Sequence, residues 1–233
     1  MDNQTLTQVE TMIVSDVHLG SEISRASDLL AVLQSYTFRR LILLGDIFSD
    51  LNFKRLTKDH WKLLSHIRKL SNPKRSVETV WVEGNHDRGL SNVMSHLVGM
   101  RVFQEYGWES AGKKYLAIHG HQFDRFLVDD LLISDLMSSV YKWIQRCDLG
   151  QQRFSRCIDR LSTSWLRMTP RVAEGAIRFA TEKGANYVFC GHTHAALHTE
   201  SDGVHYYNAG GWTQSPATYI TINQGHVRIH ELD

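Results

Sequence analysis

Seven side chains of this sequence could bind divalent metals, and each stands just past a short apolar run. They are Asp16, His18, Asp46, Asn85, His119, His192 and His194. All are oxygen or imidazole donors and none is a thiolate. Such a set suits Mn²⁺, Fe²⁺, Mg²⁺ or Zn²⁺. Seven protein ligands exceed what one tetrahedral ion takes. They match two ions that share a bridging carboxylate. Two ions about 3.5–4 Å apart can clamp the attacking and leaving oxygens of a phosphoryl transfer. Each position is weak alone, because a lone Gly-Asp is more often a turn and a lone histidine more often a core residue. The repetition carries the argument. On the same reasoning His60, His66, His96, His198, His205, His226 and His230 read as structural or surface groups.

The elements that must position these groups follow from the apolar runs. Leu41-Ile42-Leu43-Leu44 empties into Gly45-Asp46, which reads as a buried strand with a carboxylate at its carboxyl end. In open α/β sheets ligands bind at that end. Thr11–Val14 runs into Asp16-Val17-His18, and two residues spaced by one in extended chain point to the same side. Val77–Val82 runs into Gly84-Asn85-His86-Asp87, Lys113–Ile118 into His119-Gly120-His121, and Tyr187–Cys190 into Gly191-His192-Thr193-His194. Helices are expected over 24–35, with Ala26, Leu29, Leu30 and Leu33 apolar, and over 58–70, with Trp61, Leu64, Ile67 and Leu70 on one face. The order β-α-β-α-β implies parallel strands with right-handed crossovers. Ala196–Glu200, Val204–Asn208, Thr218–Asn223 and His226–Glu231, separated by Gly-containing turns, read as an antiparallel meander.

Between Phe126 and Lys183 the periodicity turns helical. Leu132, Ile133, Leu136, Met137, Val140, Trp143 and Ile144 make one wide apolar face. A second helix, 151–168, carries Phe154, Cys157, Ile158, Leu161, Trp165 and Met168 on one side and Arg153, Arg156, Arg160 and Arg167 on another. A further helix is expected from Pro170 to Phe179. Residues 126–168 thus read as a helical insert lying over the catalytic face of a single domain spanning 1–233.

A length of 233 residues and a hydrophobic content of 42% allow a sizeable core. A formal charge of +1 gives no global steer towards nucleic acid or membrane. No apolar run approaches the ~20 residues that span a bilayer. Met1 to Glu10 is polar, unlike a signal peptide. Three cysteines without C-x-x-C spacing indicate neither a disulfide framework nor a zinc finger, so a reducing cytoplasm is expected.

Asp16-Val17-His18, Gly45-Asp46, Gly84-Asn85-His86-Asp87, His119-Gly120 and Gly191-His192-Thr193-His194 together resemble the five motifs of the calcineurin-like metallophosphoesterases. The resemblance implies a four-layer αββα double-sheet sandwich of α/β (α+β) class. It also implies that Asp16, His18 and His194 bind one metal, that Asn85, His119 and His192 bind the other, that Asp46 bridges, and that His86 stands beside the substrate phosphate without binding metal. Within the superfamily, the runs from Tyr115 to Asp124, Cys190 to His194 and Tyr207 to Trp212 resemble the UDP-2,3-diacylglucosamine pyrophosphatase-like branch, as does the long helical insert. Three positions depart from that branch: His121 and Gly211 stand where it usually or often has Asp, and His86 stands where its best-known members have Arg.

The expected activity is hydrolysis of a phosphoester or pyrophosphate bond by metal-bound hydroxide, with two divalent ions, Mn²⁺ foremost, as cofactors. His86 would stabilise phosphoryl charge or protonate the leaving group, with Asp50 orienting it. The expected substrate is a small phosphorylated molecule, of which an amphipathic nucleotide-sugar lipid is the leading example. Arg153, Arg156, Arg160 and Arg167 would bind its diphosphate, and contact with the inner face of the membrane would be peripheral. Competing readings are a cyclic-nucleotide phosphodiesterase, a nuclease or a general phosphatase of the same superfamily, and a non-catalytic metal-binding scaffold. A nuclease should show a basic groove with stacking aromatics, and the near-neutral charge argues against nucleic acid.

Overall fold

In chain order the computed structural model contains β1 (Thr7–Val14), α1 (Ala26–Ser35), β2 (Tyr36–Leu44), α2 (Lys58–Leu70), β3 (Glu78–Val82), β4 (Val102–Phe103), β5 (Glu105–Ser110) and β6 (Lys113–Ile118). Then follow α3 (169–182), β7 (Tyr187–Cys190), β8 (Leu197–Ser201), β9 (Val204–Asn208), β10 (Ala217–Asn223) and β11 (His226–Leu232). The structure describes residues 6–72, 74–89, 100–124 and 169–233. The helical insert 126–168, its four arginines and His96 lie outside the described residues.

The strands divide between two sheets, ordered β11-β10-β1-β2-β3-β4 and β5-β6-β7-β9-β8. β1, β2 and β3 are parallel, as the alternating helices require. Side-chain alternation then sorts the apolar residues into layers. Met12, Val14, Leu41 and Leu43 face outwards and pack under α1 and α2, while Ile13, Ile42 and Leu44 face inwards. The inner layer joins Trp108, Tyr115, Tyr187 and Phe189 of the second sheet. Ala173, Ala176, Ile177 and Ala180 of α3 cover that sheet's other face. The result is the expected αββα sandwich. Among the described residues no helix is long and apolar enough to cross a membrane.

Three local expectations fail. The last four strands are not one meander: β8–β9 is a hairpin of the second sheet and β10–β11 a hairpin of the first. β9 lies parallel to β7. Period-two alternation shows that a segment is a strand, not which sheet it joins. Gly210-Gly211 is the crossing between sheets, where a Cβ on Gly210 would strike Thr218 Oγ1 at 1.9 Å. Strands β4 and β5 were not legible, because β5 is half polar and broken by Gly107. In α2 the buried residues are His60, Leu63, Ile67 and Leu70, while Trp61 is 52% exposed. The buried stripe includes a histidine, so apolar residues alone misplace the face.

Candidate metal centre

All five ligand-bearing segments begin where β1, β2, β3, β6 and β7 end, so the topology brings them to one end of the sandwich. Asp16 and His18 are not extended, as the two-residue spacing implied. Both are left-handed, with φ of 52° and 51°. Asp46, His192 and His194 share that conformation at 50°, 67° and 53°. Backbone bonds knit the turns together: Asp16 N–H donates to Gly45 O at 3.1 Å and His18 N–H to Asp46 O at 3.0 Å. Glycine is needed where segments touch. A Cβ on Gly45 would stand 2.3 Å from His119 Nδ1, and one on Gly191 would stand 2.4 Å from Asp16 Oδ2.

Asp16, His18 and His194 form one group, with ligand atoms within 4.8 Å of one another. His194 Nε2 is 3.1 Å from Asp16 Oδ1, His18 Nε2 is 3.8 Å from it, and the two Nε2 atoms are 3.2 Å apart. Asp16 Oδ2 is held elsewhere, by the His192 N–H at 3.0 Å and the Ser15 hydroxyl at 2.5 Å. That leaves Oδ1 turned into the group.

Asp46, His119 and His192 form the second group, and all three are buried. His119 Nδ1–H donates to Leu44 O at 2.9 Å, so Nε2 faces Asp46 Oδ2 at 3.3 Å. His192 Nε2 lies 3.3 Å from Asp124 Oδ2. Asp46 Oδ1 accepts the His86 N–H at 2.9 Å, and Asn85 is half-buried beside it. His86 Nδ1–H donates to Ser49 O at 2.9 Å, leaving Nε2 4.0 Å from Asp46 Oδ2. Asp50 does not orient His86. Its carboxylate takes Arg55 instead, at 2.7 Å, and a backbone carbonyl does the positioning.

The donor chemistry fits bound cations. Asp16 Oδ1, Asn85 Oδ1 and His119 Nε2 are buried and make no hydrogen bond of regular geometry; the nearest groups to Asp16 Oδ1 and His119 Nε2 are other ligand-type atoms, His194 Nε2 and Asp46 Oδ2. Buried polar atoms are otherwise almost always paired. Burial alone would raise the Asp16 pKa, but His194 overrides it and holds the carboxyl at about 2. Burial and the charge of His194 push His18 down to about 3. An ionised Asp16 beside a neutral His18 is the state a metal requires of its ligands, whereas, against burial, Asp16 raises His194, which must give up its proton when a metal binds. Burial alone would lower His119, yet Asp46 lifts it to about 10, so this pair draws positive charge towards itself.

Several positioning residues escaped the sequence reading. Asp87 is fully buried and accepts the N–H groups of Ile47 (3.1 Å) and Phe48 (3.0 Å), stapling the turn after β2 to the turn after β3. Asn208 Nδ2 donates to Gly191 O at 2.7 Å, which fixes the loop carrying His192 and His194. Thr213 Oγ1 is 3.3 Å from His194 Nδ1. Asp87, Asp124 and Asn208 stood inside the motif runs, but a motif match does not say which members hold others. Of the departures, His121 has a buried Nδ1 without a partner, its ring 5.5 Å from that of His119. At Gly211 a Cβ would stand 3.2 Å from Asp16 Cβ and 3.3 Å from His194 Nδ1, so the position is crowded against the first group.

A double-sheet sandwich with two acid–histidine groups at its strand ends defines a class, and comparison with known proteins agrees. The model of the calcineurin-like phosphoesterase superfamily domain matches residues 9–225, and the chain belongs to that superfamily. A novel archaeal phosphodiesterase is similar at 14% identity and a TM-score of 0.52, covering 95% of this chain and 99% of its own. Yfce, a phosphoesterase from E. coli, is similar at 15% identity and a TM-score of 0.50, covering 96% and 99%. A single mutant of Vps29 from Entamoeba histolytica is similar at 14% identity and 0.49, covering 96% and 98%. At these identities the likeness is one of fold. No curated protein matches the chain. Superfamily and ligand groups together support a metal-dependent phosphoesterase.

Proposed function

We propose that this protein hydrolyses the pyrophosphate bond of a nucleotide-sugar or lipid diphosphate, of the kind cleaved by the UDP-2,3-diacylglucosamine pyrophosphatase-like branch. One observation carries the hydrolytic part: Asp16 Oδ1, Asn85 Oδ1 and His119 Nε2 are buried and gathered at the strand ends, make no hydrogen bond of regular geometry, and, for Asp16 and His119, face another ligand-type atom at 3.1 Å and 3.3 Å. Asp16, His18 and His194 would hold one ion and Asn85, His119 and His192 the other, with Asp46 shared. When bound, two divalent cations, Mn²⁺ in this reading, supply Lewis acidity and lower the pKa of a water. His86 has its Nδ1–H committed to Ser49 O, so Nε2 is free to meet a phosphoryl oxygen or give a proton to the leaving oxygen.

The substrate part rests on the motif runs ending at Asp124, His194 and Trp212 and on the length between Asp124 and α3. In this reading residues 126–168 form a cap within one domain. Arg153, Arg156, Arg160 and Arg167 bind the diphosphate bidentately, and acyl chains bring the enzyme to the cytoplasmic face of a membrane. The test is a three-substrate assay with Mn²⁺: bis-p-nitrophenyl phosphate, a phosphomonoester and a UDP-sugar diphosphate. Preference for the diphosphate is expected. Preference for the monoester would replace the reading by a general phosphatase, and no turnover with two metals bound would mark a scaffold.

A further inference from the structure

The whole chain is nearly neutral, but its charge is not evenly spread. Residues 50–75 hold eight of the 26 lysines and arginines and only two of the 25 acidic residues, so the rest of the chain is net negative. This stretch contains α2 and the connection leading into it from β2. Lys58, Lys62 and Lys69 line one side of a groove of about 460 Å³ with Trp61 and His66, and Leu30 of α1 lies opposite. Lys54, Lys58 and Lys69 make no ion pair among the described residues. Lys62 shares only the exposed Asp59, at 2.7 Å, a pairing that water screens.

Large apolar side chains stand among these cations. Leu51 is 50% exposed and Phe53 38%, both just before α2, and Trp61 is in its first turns. Ile23, also exposed, is on the β1–α1 connection, which pairs with the β2–α2 connection through the Leu19–Phe48 bridge. Of the five exposed large hydrophobics among the described residues, these four lie on the two connections and the start of α2, at the metal-centre end.

We infer that this face docks on an anionic phospholipid bilayer. The chemistry selects that occupant. A partner helix needs a continuous apolar floor, and this groove offers one leucine and one tryptophan among lysines. A bilayer needs no floor. It needs aromatic and aliphatic side chains that enter the headgroup boundary, flanked by cations that meet lipid phosphates. The four apolar side chains and Lys54, Lys58 and Lys62 stand at the metal-centre end, so docking through them turns the metal centre towards the membrane, while Lys69 lies towards the other end of α2. The proposed function brings the enzyme to a membrane only through acyl chains of its substrate; this face is a separate contact, made by α2 and the connections before α1 and α2, and holds whichever phosphoester is cleaved.

Co-sedimentation of the full chain with phosphatidylcholine vesicles, with and without phosphatidylglycerol, tests it without any turnover. Binding is expected only with the anionic lipid, and to weaken with salt. Each lysine near such a surface changes partition roughly five-fold, so reversing Lys54, Lys58 and Lys62 together to Glu should reduce binding by more than about 100-fold. Leu51→Ser with Trp61→Ala should weaken binding and leave its salt dependence, and decides the matter if the charge-reversed protein melts early. Both variants should hydrolyse bis-p-nitrophenyl phosphate like the parent. Equal binding to neutral vesicles, or binding untouched by both variants, overturns the inference. So does tighter, lysine-dependent binding to a single-stranded oligonucleotide, which would make this a nucleic-acid face.

Discussion

At the end of the sandwich away from the metal centre, Ala111, Asp202 and Gln224 have φ of 50°, 54° and 50°, and each is followed by a glycine at 72° to 76°. At the other end Asp16, His18, Asp46, His192 and His194 have nearly the same φ. The conformation is shared and its cause is not. In the three hairpins, two consecutive positive φ values are what a two-residue turn needs to follow the strand twist. At the strand ends nothing local asks for it. A left-handed L-residue costs roughly 1–2 kcal/mol, and five of them persist only because their surroundings over-determine them. The bonds to Gly45 O and Asp46 O, the Asp87 staple and the Asn208 brace do that work. The hairpin end is set by local sequence, the ligand end by tertiary structure.

Asp46→Asn should produce the largest effect and separates charge from strain. Asparagine tolerates the left-handed conformation, so the turn should survive and the metal-free protein should melt close to the parent. Removing the shared charge should lower the bound metal below two equivalents and cut hydrolysis by orders of magnitude. If metal analysis still found two ions with near-parental turnover, Asp46 would not be the bridge.

His86 is next, and it is not among the left-handed residues. Its place depends on the bonds to Asp46 Oδ1 and Ser49 O. His86→Ala should retain both metals and lower kcat about 10²–10⁴-fold. Loss of one metal equivalent would make it a ligand.

Within the ligand end the two groups differ in how their imidazoles are fixed. Asp124, itself buried, lies 3.3 Å from His192 Nε2, while the Thr213 hydroxyl lies 3.3 Å from His194 Nδ1. Removing a carboxylate behind a ligating histidine typically costs 10–100-fold in metal affinity. Asp124→Asn should therefore weaken one metal by about 10–100-fold, read by competition with a chelator, while Thr213→Val should do less to the other. Equal losses would mean the two groups are not separately braced.

The sandwich was legible because apolar runs and their spacing fix strands and crossovers, and the ligand residues were legible because each followed such a run. What stayed hidden depends on long-range contact. The sheet assignment of β9 and β10, the outward turn of Trp61 and the bracing by Asp87, Asp124 and Asn208 are properties of pairs far apart in sequence. The left-handed ligands were hidden for the same reason, since none is followed by a glycine, whereas every hairpin tip announces itself by a residue-glycine pair.

The smallest expected effect comes from the hairpin end. Ala111 has no polar side chain to bond its own backbone and, unlike glycine, carries a Cβ, so its φ of 50° is strained. Two substitutions relieve it by different routes. Ala111→Gly removes the clash of roughly 1–2 kcal/mol, but returns about 0.5–1 kcal/mol of unfolded-state freedom. Ala111→Asn makes an Asn-Gly pair with Gly112, the strongest two-residue hairpin signal, without that entropic loss. Both should stabilise the fold, Asn by the larger margin, and about 1 kcal/mol corresponds to a rise of about 2–4 °C in Tm for a chain of this size. Metal content and hydrolysis should stay at parental levels. A fall in Tm for both would show that the tip, like the ligand end, is held by contacts beyond its own two residues, and the contrast between the ends would be lost.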